Sequence, residues 1–444
     1  MQRDIEKDLH RWKQLRDPMP LLIRGARQVG KSHVIEKFGK ENFDHFVLVN
    51  LEQHPEYIRC FDTLEPQKII NSIELVTGSS IHIGKTLLFI DEIQESPRAI
   101  LALRYFKEQM PKLHVIGAGS LLEFVINDEN FRMPVGRIEF KYVRPLSFGE
   151  YLDASGNHKL REYMKTIHIH DTIEDVVHSR LLTLLREYCS LGGMPAVIAE
   201  YLQTKNLQRC GELQTAVLST YRNDFGKYAK HTQHALLQTI FTKAPALVSE
   251  WLKYTKLDPD TPAKAVKGAL LKLCDAGLII LVHATSGSGI PFTTDMNEKK
   301  SKMLFLDIGL VKKACHLDLD LLFKKDLLLI NNGALAEQLV GQELLSYMGK
   351  EEKNNLFFWA REQKSSSAEI DYLIAVDSHI IPLEVKSRST GSLRSLKIFL
   401  EEKKLPLGVR ISEVPFSFEK SLLTIPLYLI EQLPRLVQEA YTLL

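Results

Sequence analysis

The sequence predicts an α/β fold: a P-loop domain built on a doubly wound parallel sheet, followed by a helical and winged-helix region and a second, small α/β domain. Three observations carry this. Pro20–Ser32 runs from apolar residues into a loop of the form G-x-x-x-x-G-K-S, Gly25 to Ser32. A later apolar run, Thr86-Leu87-Leu88-Phe89-Ile90, closes on Asp91-Glu92. Near the C-terminus, Glu337, Asp371 and Glu384-Val385-Lys386 follow in the order of a metal-dependent phosphodiester site.

Bulk numbers bound the rest. A chain of 444 residues holds about two to four domains. At 45% hydrophobic and 25% charged residues it has enough apolar material for true cores. A net charge of +2 gives no global field toward nucleic acid, so any basic surface is local. The five cysteines (Cys60, Cys189, Cys210, Cys274, Cys315) are scattered and form no C-x-x-C pair, which argues against metal knuckles and a disulfide framework. A reducing, cytoplasmic location is expected. The charged start, Met1 to Asp8, has no signal-peptide core. No apolar run approaches the roughly 18 residues of a membrane span.

Residues 1–19 read as a charged helix, with Ile5, Leu9, Trp12 and Leu15 at helical spacing, ending near Pro18. The loop that follows cradles phosphate, because its backbone N–H groups and the positive end of the next helix converge on the anion. Gly25 and Gly30 permit the bend and the close approach. Gln28 lies on the loop, Lys31 reaches the β- and γ-phosphates, and Ser32 supplies an oxygen to Mg²⁺. ATP and Mg²⁺ are the expected cofactors.

His45–Glu52, Thr86–Glu92 and Leu113–Ile116 read as further strands, alternating with helix-length segments. Asp91 would hold Mg²⁺ and Glu92 would orient the attacking water; the plain alternative is an acidic pair capping a helix. Ser120, past the fourth strand, is a candidate sensor of the γ-phosphate, or else a cap for the next helix. Of Arg132, Arg137 and Arg144, Arg137 is favoured as an arginine acting on a neighbouring copy's site; a surface ion pair is the bland reading of each.

Pro145-Leu146-Ser147-Phe148-Gly149-Glu150 closes the domain, expected at 1–152. Gly25–Ser32, Leu88–Gln94, Gly136-Arg137 and this run together resemble a large group of bacterial and archaeal AAA-type ATPases. The C-terminal half of that group is catalogued as a domain of unknown function. The resemblance covers nearly the whole chain and implies architecture more firmly than a cellular task.

Residues 153–230 read as a helical linker, broken by Leu191–Val197, a Gly-Gly-x-Pro turn similar to that of the same group. Tyr221–Asp224 resembles another of its signatures and is read as a solvated helix face. Residues 231–318 carry helices at Leu236–Lys243, Leu247–Tyr254 and Ala263–Asp275, then two strands around a Gly/Ser/Thr loop. Three helices and a hairpin make a winged helix. Its basic cluster, Lys299, Lys300 and Lys302, is a candidate DNA contact, although many winged helices bind only protein.

Residues 322–444 form the last expected domain. Glu337 lies on an amphipathic helix, Asp371 on a strand, and Glu384 and Lys386 on the partner strand, where a period of two puts both on one face. This looks like the PD-(D/E)XK nuclease fold, with Ile370 where the name has proline. Glu337, Asp371 and Glu384 would hold Mg²⁺, and Lys386 would polarise the water or the scissile phosphate. A hairpin with a cross-strand ion pair is the plain alternative. Lys386, Arg388, Arg394, Lys397, Lys403 and Lys404 crowd the hairpin's end as a candidate polyanion surface.

The expected function is ATP hydrolysis driving conformational change on DNA, with metal-dependent cleavage as a second activity. The rival is a nucleotide-gated switch whose C-terminal fold is an inactive platform for protein or nucleic acid. DNA, a second copy of the chain and other proteins are the expected partners.

Overall fold

The computed structural model describes residues 1–126, 131, 136–228, 231–317, 333–348, 356–361, 368–386 and 393–444. It divides into two compact units: residues 1–144 with 275–277 and 350–353, and residues 145–274 with 278–349 and 354–444. Arg132, Arg388 and the boundary expected at 318–322 lie outside the described residues.

In the first unit, α1 (Ile5–Lys13) buries Ile5, Leu9 and Trp12. It ends at Lys13 with Gln14 as its cap, short of the expected end near Pro18. Then β1 (Leu21–Arg24), α2 (Lys31–Asn42), β2 (His45–Asn50), α3 (Pro66–Thr77), β3 (Thr86–Asp91), α4 (Pro97–Gln109), β4 (His114–Ala118), α5 (Leu122–Ile126) and β5 (Glu139–Tyr142) alternate. The strands form one parallel sheet in the order β2-β3-β4-β1-β5. β3 and β4 are buried at every residue, as central strands of a covered parallel sheet must be. Leu88, Ile90 and Val115 join Leu103 and Phe106 of α4 in one core. All five strands point the same way, so the segments after β1, β3 and β4 emerge at a single edge, where open α/β sheets bind ligands.

The second unit opens with α6 (Phe148–Ala154), α7 (His158–Thr166), α8 (Asp175–Leu191), α9 (Pro195–Thr204), α10 (Leu207–Tyr228), α11 (His231–Lys243), α12 (Tyr254–Leu257) and α13 (Ala263–Asp275). The Pro-Leu-Ser-Phe-Gly-Glu run is a capping box for α6: Ser147 Oγ accepts from the Glu150 N–H at 3.2 Å, and Glu150 Oε2 accepts from the Ser147 N–H at 3.0 Å. Gly192 turns the chain between α8 and α9 at φ 73°. A Cβ there would stand 2.1 Å from Asp307 Oδ1. The Gly193 N–H donates to Asp307 Oδ2 at 2.5 Å, so the glycine pair is held from within.

After these come β6 (Ile279–Thr285), β7 (Met296–Phe305), α14 (Ile308–Ala314), α15 (Ala334–Met348), β8 (Phe357–Ala360), β9 (Glu369–Val376), β10 (His379–Val385), α16 (Arg394–Lys403), β11 (Gly408–Ser412), β12 (Ser417–Glu419), β13 (Leu422–Pro426) and α17 (Leu433–Tyr441). All eight strands share one sheet, ordered β12-β13-β11-β10-β9-β8-β6-β7.

Two expectations are corrected here. Leu247–Tyr254 is not a helix. Its amides are taken by β7: Ser249 N–H donates to the Met303 carbonyl at 2.8 Å, and Leu252 N–H to Ser301 at 2.7 Å. The β6–β7 hairpin does not project as a free wing either. β6 pairs with β7 on one side and in parallel with β8 on the other, so the hairpin is the end of the large sheet. Asn297–Lys302 belongs to β7 rather than to a loop, and Lys302 is only 4% exposed.

Candidate functional site

The loop between β1 and α2 is shaped by its glycines. Gly25 has φ 144°, and a Cβ on it would stand 2.1 Å from the Val143 carbonyl oxygen, which only a bare backbone allows. Gly30 (φ 92°) turns the chain into α2, and Gln28, exposed on the loop, is itself left-handed at φ 65°. Such strain in a non-glycine residue marks a loop held open for a task.

Lys31 is buried at the start of α2. Its ammonium donates to the carbonyls of Gly25 and Ala26 at 3.0 and 2.9 Å, capping the loop with its own charge. Burial pushes Lys31 down to about 8, against the pull of Glu92 and Asp91. Ser32 Oγ donates to Asp91 Oδ1 at 3.0 Å, and Asn50 Nδ2, from the end of β2, donates to Asp91 Oδ2 at 3.3 Å. Burial raises Asp91, and the Ser32 bond opposes it. The paired oxygens of Ser32 and Asp91 are hard donors of the kind Mg²⁺ takes beside phosphate, so these residues fit that ion.

Glu92 follows in the left-handed region at φ 48°. Its Oε2 accepts from Gln94 Nε2 at 2.7 Å and from the N–H and hydroxyl of Ser120, each at 3.4 Å. Ser120 therefore leans on Glu92, and the two carboxylates are held separately. Gly119 leaves room for Gln94, since a Cβ there would stand 1.9 Å from Gln94 Oε1. Gly25, Gln28, Gly30, Lys31, Ser32, Asp91, Glu92 and Ser120 thus all lie at one edge of one sheet. Sequence reasoning passed over Asn50 and Gln94. The first sits at a strand's carboxyl end; the second was part of the Leu88–Gln94 run but had no assigned task.

Arg137 stands elsewhere. It precedes β5, which runs parallel to β1, so it lies at the opposite edge of the sheet from the loop. Its guanidinium is half exposed and donates to Glu108 of α4 at 3.3 Å. A role at a nucleotide would need a second copy of the chain. Arg144, just past β5, is the arginine at the loop's own edge, and burial lowers it to about 10.

In the second unit, Glu337 of α15, Asp371 of β9 and Glu384 of β10 come together. β9 and β10 are antiparallel neighbours, and Val385 N–H donates to Asp371 Oδ2 at 2.7 Å. Lys386 Nζ donates to Glu384 Oε1 at 2.5 Å, as the period of two requires. Two further residues belong to the cluster. Glu369 shares a face of β9 with Asp371. Lys302 reaches in from β7: its ammonium pairs with Glu369, lies 3.2 Å from Glu337 Oε2 and 3.8 Å from Asp371 Oδ1. Burial alone would lower Lys302, but Glu337, Asp371 and Glu369 hold it well above its ordinary range. Burial and the Asp371 charge push Glu337 up to about 8 and Glu384 up to about 7.

Lys302, expected at a DNA surface, is therefore an internal counter-ion. Its role had no local signal, since a lysine in a polar run reads as exposed. The carboxylates are chemically suited to a divalent cation, but an ammonium stands among them. Among the described residues no three or more His, Cys, Asp and Glu are grouped to hold a metal ion. As the side chains stand, the cluster does not fit the metal expected of it.

Three family models match successive stretches of the chain. Residues 17–152 match the family model of an AAA domain, residues 182–321 a domain of unknown function (DUF8612), and residues 332–430 another (DUF4143). No curated protein matches. Among solved structures, a Walker-type ATPase of Pyrococcus abyssi is 14% identical, with 70% of this chain and 94% of that chain covered and a TM-score of 0.44. The Orc1 protein of Aeropyrum pernix, solved in complex with DNA, is 11% identical over 72% and 93%, with a TM-score of 0.31. PCH-2 of C. elegans is 12% identical over 43% and 57%, with a TM-score of 0.25. These overall likenesses are loose. The domain match, together with the loop geometry, makes the first unit an AAA-type P-loop ATPase domain and the chain an ATP-hydrolysing enzyme. No helix among the described residues is long and apolar enough to cross a membrane.

Proposed function

We propose that the chain is an ATP-driven switch acting on DNA, with its C-terminal domain serving as a docking platform rather than a metal-dependent nuclease. The observation that carries the nucleotide half is the buried Lys31 ammonium, which has only loop carbonyls to bond, beside the Ser32–Asp91 pair. A triphosphate adds negative charge beside an ammonium that Glu92 and Asp91 already attract. Mg²⁺, when bound, would be held by Ser32 and Asp91 and would neutralise charge on the β- and γ-phosphates. Glu92, held at Oε2 by Gln94 and Ser120, is placed to orient a water and take its proton. Ser120 then reports the state of the nucleotide through Glu92.

The DNA half is supported by exposed cations on β7, on α16 and at its C-cap: Lys299, Arg394, Lys397 and Lys404. Phosphate contacts of this kind position a duplex without reading it. The platform half is supported by Lys302, whose ammonium stands against Glu337 and Asp371, two of the carboxylates that cleavage would need for metal.

Steady-state phosphate release, with and without linear, branched and single-stranded DNA, tests the reading. Stimulation that falls steeply with rising salt supports a phosphate-contacting switch. Hydrolysis unmoved by any nucleic acid would instead point to a switch whose platform receives protein. Cleavage that needs Mg²⁺ or Mn²⁺ and is lost in Asp371→Ala would overturn the platform half.

A further inference from the structure

Four carboxylates meet in the second unit; Lys386 pairs with Glu384, and the ammonium beside the other three comes from a strand three places along the sheet. Order β9-β8-β6-β7 separates Lys302 from Asp371 by two intervening strands. Its side chain crosses that distance over the Phe358 ring, 5.4 Å from the ring centroid, and is 95% removed from solvent or more. Trp251 Nε1 donates to Glu369 Oε2 at 2.5 Å, which holds that carboxylate, and the Tyr372 hydroxyl donates to the Glu337 backbone carbonyl at 2.8 Å. Glu384 Oε2 is buried with no hydrogen-bond partner among the described residues.

We infer that Lys302 is the resident cation of this cluster and competes with a divalent metal ion for Glu337, Glu369 and Asp371. Two buried cations on the same carboxylates repel one another, so the metal binds only as Lys302 withdraws. Removing the ammonium uncovers a hard-oxygen site, with the orphan oxygen of Glu384 as a further donor. Such a set of oxygens suits Mg²⁺ or Mn²⁺. The inference is independent of the DNA reading, because metal binding is measured without nucleotide or DNA.

The test is Mn²⁺ titration of the full chain, followed by electron paramagnetic resonance of the free ion, with thermal unfolding alongside. Lys302→Met should bind one Mn²⁺ at least about tenfold more tightly than wild type. Its melting temperature should rise with added Mn²⁺ more than the wild-type value does. Adding Asp371→Asn to Lys302→Met should remove the gain, which separates this site from any ion held by Ser32 and Asp91. If Lys302→Met fails to fold without metal, Lys302→Met/Glu369→Gln loses one carboxylate together with the cation and takes the same measurements. Equal Mn²⁺ affinity in wild type and variant would overturn the inference. So would a gain that survives Asp371→Asn, or tighter binding by wild type.

Discussion

Replacing Lys31 by methionine should stabilise the nucleotide-free protein while abolishing its response to ATP. The ammonium is buried, and burial lowers it from 10.5 to about 8, which corresponds to roughly 3 kcal/mol held against the charged form. Methionine removes that cost. It also removes the contacts to the Gly25 and Ala26 carbonyls, worth about 1 kcal/mol each. The remainder is about 1 kcal/mol in favour of Lys31→Met, or about 2–4 °C in a unit of this size. Because the folded value lies below the unfolded one, the cost is complete below pH 8 and fades as pH rises toward 10.5, where the order should reverse and wild type keep the advantage of its carbonyl contacts, up to about 2 kcal/mol. Differential scanning fluorimetry at pH 7 and pH 10, with and without a non-hydrolysable ATP analogue and Mg²⁺, reads all of this. A Lys31→Met protein that melts no higher than wild type at pH 7, yet still shifts with nucleotide, would refute the reasoning on both counts.

Wild-type ATP affinity should fall about tenfold per pH unit above pH 8, since only the protonated Lys31 offers charge to phosphate; a flat profile to pH 9.5 by isothermal titration would exclude it. Glu92→Gln should keep ATP bound and slow phosphate release by about 10²–10⁴-fold, and an unchanged rate would remove Glu92 from the chemistry. Arg137→Ala should leave ATP binding intact and lower hydrolysis only where copies assemble. Mixing it with Glu92→Gln protein should restore part of the rate, and no recovery in a demonstrated mixed assembly would leave Arg137 as the surface partner of Glu108. Lys312→Met should raise urea resistance at pH 7 by up to about 3 kcal/mol, because burial lowers this lysine to about 8 and Ser190 Oγ, which accepts from its ammonium, still donates to the Arg186 carbonyl. A destabilised Lys312→Met would show that the ammonium is well paired after all.

The nucleotide edge was legible because its parts are local. A phosphate loop must place Gly25, Gly30, Lys31 and Ser32 within one turn, and β3 ends on its carboxylates, so spacing alone carries the chemistry. Asn50 and Gln94 escaped because a single amide at a strand end, or beyond it, has no spacing to betray it. In the second unit, Glu384 and Lys386 were legible through the two-residue period of a strand, and Asp371 through the adjoining hairpin. Glu369 shares that period with Asp371 and was visible in principle. Lys302 was not, because its burial depends on the β6–β8 pairing, a contact between strands far apart in the chain. The same pairing explains why the hairpin read as a wing: three helices and two strands look alike whether or not another strand completes the edge.

That pairing also sets a timetable for making the protein. β7 ends at Phe305 and β8 begins at Phe357, about fifty residues later. At ribosomal speeds the hairpin waits roughly 3–10 s with one side of β6 unpaired. Lys302, made just before this interval begins, waits as a lone ammonium, and Asp371 arrives only after β8. During the wait, the outward lysine charge guards an open strand against pairing with a neighbouring nascent chain. Once β8 and β9 arrive, the guard is drawn inside and becomes the core's own counter-ion.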